Sequence, residues 1–342
     1  MENIKQIVFT KVNTAELIEC PVPELKDDFV MVKTEISTIS CGTERANITG
    51  DPNVYGGARI DVAAQFPRYL GYSSAGVVVA KGKNVPKIEI GDRVACLGTL
   101  HAEYNVIPYE NAIKIEDDKT SFNDAALCYI STFPMAAIRK TKLEMGESAI
   151  VMGLGILGLI AVKLLRAAGA VPIIVADPNP KRREIALKNG ADYAFDPLCE
   201  GFAEEVKKAT DGGVNVAIEV TGVGAGFNEA LDCMARFGRV ALLGCTRNSD
   251  FTVDYYKKIH APGITVIGAH TNARPEVESH SGWFTRQDDM KSVLKLCAGG
   301  RLNLQNIIEE IHSPEECSEV YNRLIFDKDF PVVVQFDWRK LK

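Results

Sequence analysis

The sequence lacks several features that would place it in particular protein classes. No apolar run is long enough to span a bilayer, and the first thirty residues contain no continuous apolar segment of signal-peptide length. Its nine cysteines include no C-x-x-C pair, which excludes a structural zinc lobe of four closely spaced cysteines. An odd number of cysteines without framework spacing indicates reduced thiols. We therefore predict a cytoplasmic protein without a membrane segment.

The sequence also has no strong excess of one charge, no low-complexity stretch and no obvious repeat. Its 39 basic and 45 acidic side chains give a net charge of −6, and the basic residues do not gather into one block. Nucleic-acid binding through phosphate neutralisation is therefore not expected. At 342 residues the chain is long enough for two domains with full cores.

A glycine-rich motif between two apolar runs is the most informative feature present. Residues 148–152 form an apolar run, residues 153–158 read Gly-Leu-Gly-Ile-Leu-Gly, residues 159–168 favour a helix, and a second apolar run precedes Asp177. In a dinucleotide-binding turn, Gly153 permits the tight turn, Gly155 lets the backbone approach the pyrophosphate, and Gly158 lets helix and strand pack closely. The alternative is an ordinary turn in a fold that binds no nucleotide.

The acidic residue after the second run indicates which cofactor is bound. Asp177 lies 24 residues after Gly153, so its carboxylate can accept hydrogen bonds from ribose hydroxyls and repels a 2′-phosphate. This favours NAD over NADP. Lys181, Arg182 and Arg183 leave NADP open, because they can hold a phosphate, although they can equally form a solvated helix face.

The pattern of apolar residues changes along the chain. Residues 30–36 alternate as in a half-buried strand, and short strands and turns extend to about residue 108. After residue 146 strands alternate with helices, which predicts a parallel doubly wound sheet of six strands. We expect a Rossmann domain at residues 129–275, between the two parts of a second domain at residues 1–128 and 276–342.

Four motifs carry a family resemblance: Cys41-Gly-Thr-Glu44, Gly91-Asp-Arg-Val94, Ala102-Glu-Tyr104 and the glycine motif. They resemble the medium-chain dehydrogenase/reductase superfamily of zinc alcohol and polyol dehydrogenases and zinc-free quinone reductases. The resemblance implies an α/β protein with a GroES-like β domain built from both chain ends. It also implies hydride transfer between NAD(P) and an alcohol or carbonyl substrate, and a homodimer formed by edge-to-edge pairing of residues 264–267.

The zinc ligands that the resemblance implies are only partly present. Cys41 stands at the first ligand position and Cys128 at the last, but Gly71-Tyr72-Ser73 replaces the Gly-His-Glu segment. A catalytic zinc takes three protein ligands and a water. We therefore predict no catalytic zinc, with both cysteines as buried free thiols. The alternative is a zinc enzyme with altered ligands.

Further segments resemble a zinc-lacking branch of the superfamily. They are residues 71–76, residues 101–104 and the tail segment 278–283. Members of this branch are similar to bacteriochlorophyllide dehydrogenase, but the resemblance does not identify the substrate of this protein.

Without zinc, a side chain must handle the proton of the substrate hydroxyl. His101, in an expected loop, and His270, after the sixth strand, are candidate bases because a histidine pKa near ~6.5 suits neutral pH. The resemblance places Thr43 at a proton-relaying hydroxyl, and Tyr72 can donate a hydrogen bond to a substrate carbonyl. The structural alternatives are that His101 caps a turn and that Tyr72 fills the space of the missing metal.

The resemblance also suggests further cofactor and substrate contacts. Leu157 belongs to the glycine motif, Arg182 matches a position near the adenosine ribose, and Thr132, Thr221 and Gly244 match positions near the nicotinamide. The aromatic residues Tyr55, Trp283 and Phe284 either wall a large substrate or anchor their own loops.

Taken together, these features predict an NAD-dependent, zinc-independent oxidoreductase with a small-molecule substrate. A protein that binds NAD(H) as a sensor without catalysis is the alternative from another class.

Overall fold

The computed structural model describes residues 2–52, 54, 65–247 and 249–342. Contacts divide the chain into two compact units. The terminal unit comprises Met1–Ile130 and Met290–Lys342, and the central unit comprises Ser131–Asp289. None of the described helices is both long and apolar enough to cross a membrane.

The strands of the described residues, in chain order, are β1 (Asn3–Lys11), β2 (Thr14–Pro21), β3 (Phe29–Thr38), β4 (Ser73–Lys81), β5 (Arg93–Leu97), β6 (Tyr104–Pro108), β7 (Ala112–Lys114), β8 (Ala149–Met152), β9 (Ile173–Ala176), β10 (Tyr193–Phe195), β11 (Val214–Glu219), β12 (Met234–Leu242), β13 (Thr265–Gly268), β14 (Glu310–His312) and β15 (Val334–Asp337). The α-helices are α1 (Cys41–Ile48), α2 (Phe122–Ala125), α3 (Cys128–Lys140), α4 (Ile156–Ala168), α5 (Pro180–Lys188), α6 (Phe202–Ala209), α7 (Gly224–Asp232), α8 (Arg286–Ala298) and α9 (Cys317–Phe326). Short 3₁₀ turns lie at Tyr109–Asn111, Gln305–Ile307, Pro314–Glu316 and Trp338–Lys340, and a π-helical turn lies at Tyr256–His260.

The central unit contains a six-stranded parallel sheet in the order β10-β9-β8-β11-β12-β13. Strands β8 and β9 are buried along their whole length, which suits apolar, β-branched sequences covered on both faces. The strand order reverses at β8, the first strand of this sheet in the chain: β9 and β10 lie on one side of it, and β11, β12 and β13 lie on the other. This is the doubly wound parallel sheet that the alternation of strands and helices predicts.

The carboxyl ends of the parallel strands carry the residues of interest. Strand β8 ends just before Gly153, β9 just before Asp177, and β11 on Glu219. Ligands of open parallel sheets bind at this edge, beside the point where the strand order reverses. Helix α4 begins at Ile156, three residues earlier than its apolar run suggests, with Gly155 as its N-cap residue.

The terminal unit contains a seven-stranded sheet that includes both ends of the chain. Strand β15 pairs with β3, aligning Gln335 with Thr38, and β3 also pairs with β4 and β6. One core packs under α9 and includes Phe9, Tyr321 and Phe336. The second part of the predicted β domain therefore completes the sheet of the first.

The observed boundary between the units differs from the predicted one at residue 276. Residues 276–289 lie in the central unit. Asp289 is fully buried there and forms ion pairs with Arg139 at 2.8 Å and Arg274 at 3.3 Å. These pairs join residues 150 and 15 positions apart in the sequence, so no local pattern reveals them.

Candidate active site

The glycine motif has the backbone geometry that its three glycines suggest. Gly153 has a φ of +94°, a left-handed conformation that disfavours other residues. A Cβ atom built on Gly158 would overlap the carbonyl oxygen of Gly153 and lie 3.0 Å from its carbonyl carbon, whereas one built on Gly155 meets no atom within 4 Å. The open side of the turn is therefore at Gly155, where α4 begins and its free N–H groups can bind phosphate.

Asp177 is held against this turn. Its side chain is buried, with one carboxylate oxygen accepting a hydrogen bond from the N–H of Leu154 at 2.8 Å and the other from the N–H of Asn179 at 2.8 Å. Arg182 lies 3.8 Å from the same carboxylate. Arg183 donates to the carbonyl of Asp177 at 2.6 Å and pairs with Asp196, while Lys181 is exposed. Arg182 and Arg183 are thus engaged with acidic or backbone groups of their own unit.

A buried carboxylate that the sequence analysis missed lies at the same edge of the sheet. Glu219 accepts hydrogen bonds from the N–H of Thr221 at 2.7 Å, from the Thr221 hydroxyl and from the N–H of Gly222. Burial raises its pKa. The methyl group of Thr221 lies 3.0 Å from a Cβ built on Gly153, so Glu219 fixes the loop that faces the glycine turn. The available signal was an acidic residue ending the apolar run of β11.

The other predicted cofactor residues of the central unit differ in their burial and their contacts. Leu157 is half-buried in the first turn of α4, and Thr132 is fully buried, with its carbonyl accepting a hydrogen bond from Arg274 at 3.0 Å. Gly244 packs against the backbone of Gly222, where a Cβ would overlap. His270 is exposed beyond β13, and its Nδ1 accepts a hydrogen bond from the N–H of Asn272 at 3.2 Å.

In the terminal unit, Tyr72 lies beside the start of α1. Its hydroxyl is 2.5 Å from Oγ of Ser40 and also hydrogen bonds with Thr43. Its ring stands perpendicular to that of Tyr129, with centroids 5.6 Å apart. Burial raises the pKa of Tyr72, the negative charge of Glu44 raises it further, and the two hydroxyl partners oppose this shift. The structure thus places Thr43 beside the phenol of Tyr72, which is protonated at neutral pH.

His101 lies deeper in the terminal unit than the sequence suggests. Its side chain is only 1% exposed, with Nδ1 2.7 Å from Oγ of Ser37 and Nε2 3.2 Å from Glu44. Trp338 donates a hydrogen bond to Ser37 at 2.9 Å. Both ring nitrogens therefore have partners inside the core.

The thiols at the two implied zinc-ligand positions lie beside backbone carbonyl oxygens. Cys41 Sγ lies 3.5 Å from the carbonyl oxygen of Val332, and the fully buried Cys128 Sγ lies 3.3 Å from that of Met290. A protonated thiol donates to a carbonyl oxygen, whereas a zinc ligand is a thiolate without that proton. Among the described residues, no group of three or more His, Cys, Asp or Glu side chains is placed to hold a metal ion.

Cys128, at the implied last ligand position, and its neighbour Tyr129 face different partners. The resemblance places Cys128 at the last ligand position, but its thiol is directed to Met290. The side chain that contacts Tyr72 is the next one, Tyr129. Because one residue of helix rotates a side chain by about 100°, a one-position difference in alignment selects a different face of α3.

Two of the three candidate wall residues anchor their loop. Phe284 packs over the guanidinium of Arg139 at 3.9 Å, and Trp283 over the ammonium of Lys140 at 4.7 Å. These contacts attach the segment before α8 to the end of α3. Tyr55 lies outside the described residues.

Comparison with known proteins agrees with this arrangement. The model of the alcohol dehydrogenase GroES-like domain matches residues 26–117, and that of zinc-binding dehydrogenases matches residues 157–286. L-threonine 3-dehydrogenase of Pyrococcus abyssi is 30% identical over 328 aligned residues, covering 86% of this chain and 87% of that protein. Sorbitol dehydrogenase of Bacillus subtilis is 27% identical and covers 95% of this chain and 94% of its own.

Solved structures share the fold. A zinc-binding dehydrogenase of Clostridium scindens has a TM-score of 0.83 at 22% identity and covers 98% of this chain and all of its own. An alcohol dehydrogenase of Escherichia coli, solved with NADH, has a TM-score of 0.82 at 19% identity and covers 99% of this chain and all of its own.

A parallel nucleotide-binding sheet joined to a β unit made from both chain ends defines a two-unit dehydrogenase. The chain belongs to the zinc-type, alcohol dehydrogenase-like medium-chain dehydrogenase/reductase superfamily. The predicted superfamily and fold class are confirmed, as is the prediction of an NAD(P)-dependent alcohol dehydrogenase-like oxidoreductase. The resemblance to the zinc-lacking branch stays a prediction.

Proposed function

We propose that this protein uses NAD to transfer hydride between nicotinamide and an alcohol or carbonyl substrate without a catalytic zinc. The observation that carries the proposal is the protonated phenol of Tyr72, held by Ser40 and Thr43, together with two cysteines whose thiols face backbone carbonyls. A hydrogen-bond donor thus takes the position where zinc relatives have a histidine ligand.

The proton chemistry follows from the surroundings of Tyr72. When bound, NADH supplies the hydride that reduces a carbonyl carbon. When substrate binds, the Tyr72 O–H, which donates to Oγ of Ser40 in the structure, turns to the carbonyl oxygen and passes its proton there as the alcohol forms. Hydrogen bonds with Ser40 and Thr43 then stabilise the resulting phenolate, since they lower the pKa of Tyr72 relative to burial alone. In alcohol oxidation the same groups act in reverse. His270 remains the second candidate for proton transfer.

The preference for NAD rests on Asp177. Its buried carboxylate lies at the end of β9, where it can accept hydrogen bonds from both ribose hydroxyls and repel a 2′-phosphate. Gly153, Gly155 and Gly158 shape the pyrophosphate turn, and Arg182 is proposed beside the adenosine ribose. We propose Leu157, Thr132, Thr221 and Gly244 as contacts toward the nicotinamide.

The test is a titration of metal-analysed protein with NADH and NADPH, followed by turnover with alcohols, aldehydes, ketones and quinones. We expect NADH to bind at least tenfold more tightly, Asp177→Asn to narrow that difference, and the chelator-treated protein to keep its turnover. A near-stoichiometric zinc content with activity that depends on it would instead identify a zinc enzyme with altered ligands. Tight NADH binding without turnover on any substrate would favour a sensor.

We further propose a homodimer in the cytoplasm. Strand β13 is the last strand of the parallel sheet, and its residues are largely exposed, including Val266 at 37%. Pairing two such edges around a twofold axis satisfies their backbone groups and covers this surface. All nine cysteines lie in the described part of the chain and are free thiols, which suits a reducing compartment. Light scattering at micromolar protein should give twice the chain mass of 37.3 kDa, and a monomer would refute the dimer.

A further inference from the structure

A buried network of polar side chains lies behind Tyr72 in the terminal unit. Its members come from β3, from α1 and the residue before it, from the loop before β6, from α9 and from the last 3₁₀ turn. They are Ser37, Ser40, Glu44, His101, Tyr321 and Trp338. All six are buried, so the network has no direct contact with bulk water.

The donors and acceptors of the network hold the ring of His101 in place. The indole N–H of Trp338 can only donate, and it donates to Oγ of Ser37 at 2.9 Å. Oγ of Ser37 lies 2.7 Å from Nδ1 of His101 and shares a hydrogen bond with it. Nε2 faces Glu44 at 3.2 Å. His101 therefore acts as a hydrogen-bond donor to a carboxylate rather than as an accessible base.

Glu44 is the point where the network converges. Its carboxylate accepts hydrogen bonds from the backbone N–H of Ser40 at 2.9 Å, from the hydroxyl of Tyr321 at 2.5 Å and from His101. Its neighbour Arg45 is directed elsewhere and donates to the carbonyl of Leu324 at 2.8 Å. Three hydrogen bonds thus hold one buried carboxylate in a fixed place at the start of α1.

Ser40 connects this carboxylate to the phenol. Its backbone N–H is bound to Glu44, and its Oγ lies 2.5 Å from the hydroxyl of Tyr72. On the other side of Tyr72, the ring of Tyr129 packs edge-on. Displacement of Glu44 would therefore move Ser40 and, through it, the hydroxyl partner of Tyr72.

We propose that Glu44, held by His101 and Tyr321, is a positioning residue that orients Ser40 and, through it, the hydroxyl of Tyr72. The inference rests on the proposed function, in which Tyr72 exchanges a proton with substrate. It assigns His101 a role through Glu44 instead of a direct contact with the reacting atoms. Glu44 and His101 are thus needed for the pH dependence of the reaction.

The sign of the effect follows from the groups around the phenol. Those facing Tyr72 are the carboxylate of Glu44 on α1, the phenol of Tyr129 on α3, and the hydroxyls of Ser40 and Thr43. Besides burial, the Glu44 charge raises the pKa of Tyr72, and the hydrogen bond with Ser40 lowers it. Neutralising Glu44 should therefore lower this pKa, whereas removing the Ser40 hydroxyl should raise it.

The experiment compares Glu44→Gln with the unsubstituted protein by two measurements. A fluorinated tyrosine, whose phenol is more acidic than that of tyrosine, is incorporated at position 72 and titrated by ¹⁹F NMR. In parallel, kcat for carbonyl reduction is measured against pH in the same fluorinated protein, because burial and the Glu44 charge place the titration of the ordinary phenol too far above neutral pH to follow. We expect Glu44→Gln to lower the titration midpoint by about 1 to 2 pH units, and to move the alkaline decline of kcat in the same direction.

Two further variants guard against a merely structural explanation. Ser40→Ala keeps the Glu44 charge and should shift the midpoint upward, and it replaces Glu44→Gln if that variant does not fold. Asp124→Asn is the matched control, because Asp124 is a buried carboxylate of the same unit that accepts a hydrogen bond from Leu304 N–H at 2.9 Å. It should lose comparable stability and leave the midpoint unchanged.

The outcomes separate this inference from the proposed function. An unchanged midpoint in Glu44→Gln, or the same shift in Asp124→Asn, overturns the positioning role of Glu44. A midpoint that falls while the kcat profile stays in place supports the action of Glu44 on Tyr72 but overturns proton transfer by Tyr72. A fall in the titration midpoint together with the same shift of the kcat profile supports both the positioning role of Glu44 and proton transfer by Tyr72.

Discussion

Tyr72→Phe should lower kcat for carbonyl reduction by about 10²- to 10⁴-fold, the range typical of removing a general acid, and should leave the Kd for NADH unchanged. The substitution keeps the ring, and with it the edge-on contact with Tyr129 at 5.6 Å. It removes only the hydroxyl that Ser40 and Thr43 hold. Because the cofactor contacts that we propose lie in the central unit, a loss confined to kcat would identify a role in the chemical step.

The measurement is steady-state reduction with the best substrate of the panel, together with NADH fluorescence titration and thermal unfolding. Tyr104→Phe is the matched control, since Tyr104 is a half-buried tyrosine of β6 in the same unit, and it should keep wild-type turnover. Wild-type turnover in Tyr72→Phe would sink the assignment and transfer the proton role to His270 or Thr43.

The central unit was the most predictable part of the fold. Its strands are short apolar runs, its helices begin and end at recognisable residues such as Asn179 and Gly190, and Asp177 follows β9 directly. Each of these signals is local, so a single sequence contains them. The early start of α4 at Ile156 departs from the prediction because helix geometry begins inside the glycine turn, before the apolar face is evident.

The candidate site of the terminal unit was only partly predictable. Thr43 and Tyr72 were found because they stand in motifs, but the environment of His101 depends on Ser37, Glu44 and Trp338, which are far apart in sequence. From the sequence alone, a histidine in an exposed loop cannot be distinguished from one that the paired strands bury in the core. Glu219 and Tyr129 were missed for the same reason, since their importance comes from what they face.

The glycine turn yields the second large effect. Gly158→Ala should destabilise the protein by about 3 kcal/mol or more, because its Cβ overlaps the Gly153 carbonyl, and neither α4 nor β8 can shift without disturbing a fully packed core. We expect lower thermal stability of the central unit even without cofactor, measured by calorimetry.

Gly155→Ala is the matched control, because it adds the same methyl group three residues away in open space. Its Cβ meets no protein atom within 4 Å, and Gly155 has a φ of −73°, which alanine adopts without strain. This variant should fold with nearly unchanged stability and yet bind NADH about tenfold or more weakly, since the methyl group occupies the approach of the pyrophosphate.

Equal NADH affinity in Gly155→Ala would contradict a pyrophosphate at this turn. Equal stability in Gly158→Ala would show that helix and strand do not need the close approach. Loss of binding in one variant and loss of stability in the other would separate the two functions that one motif combines.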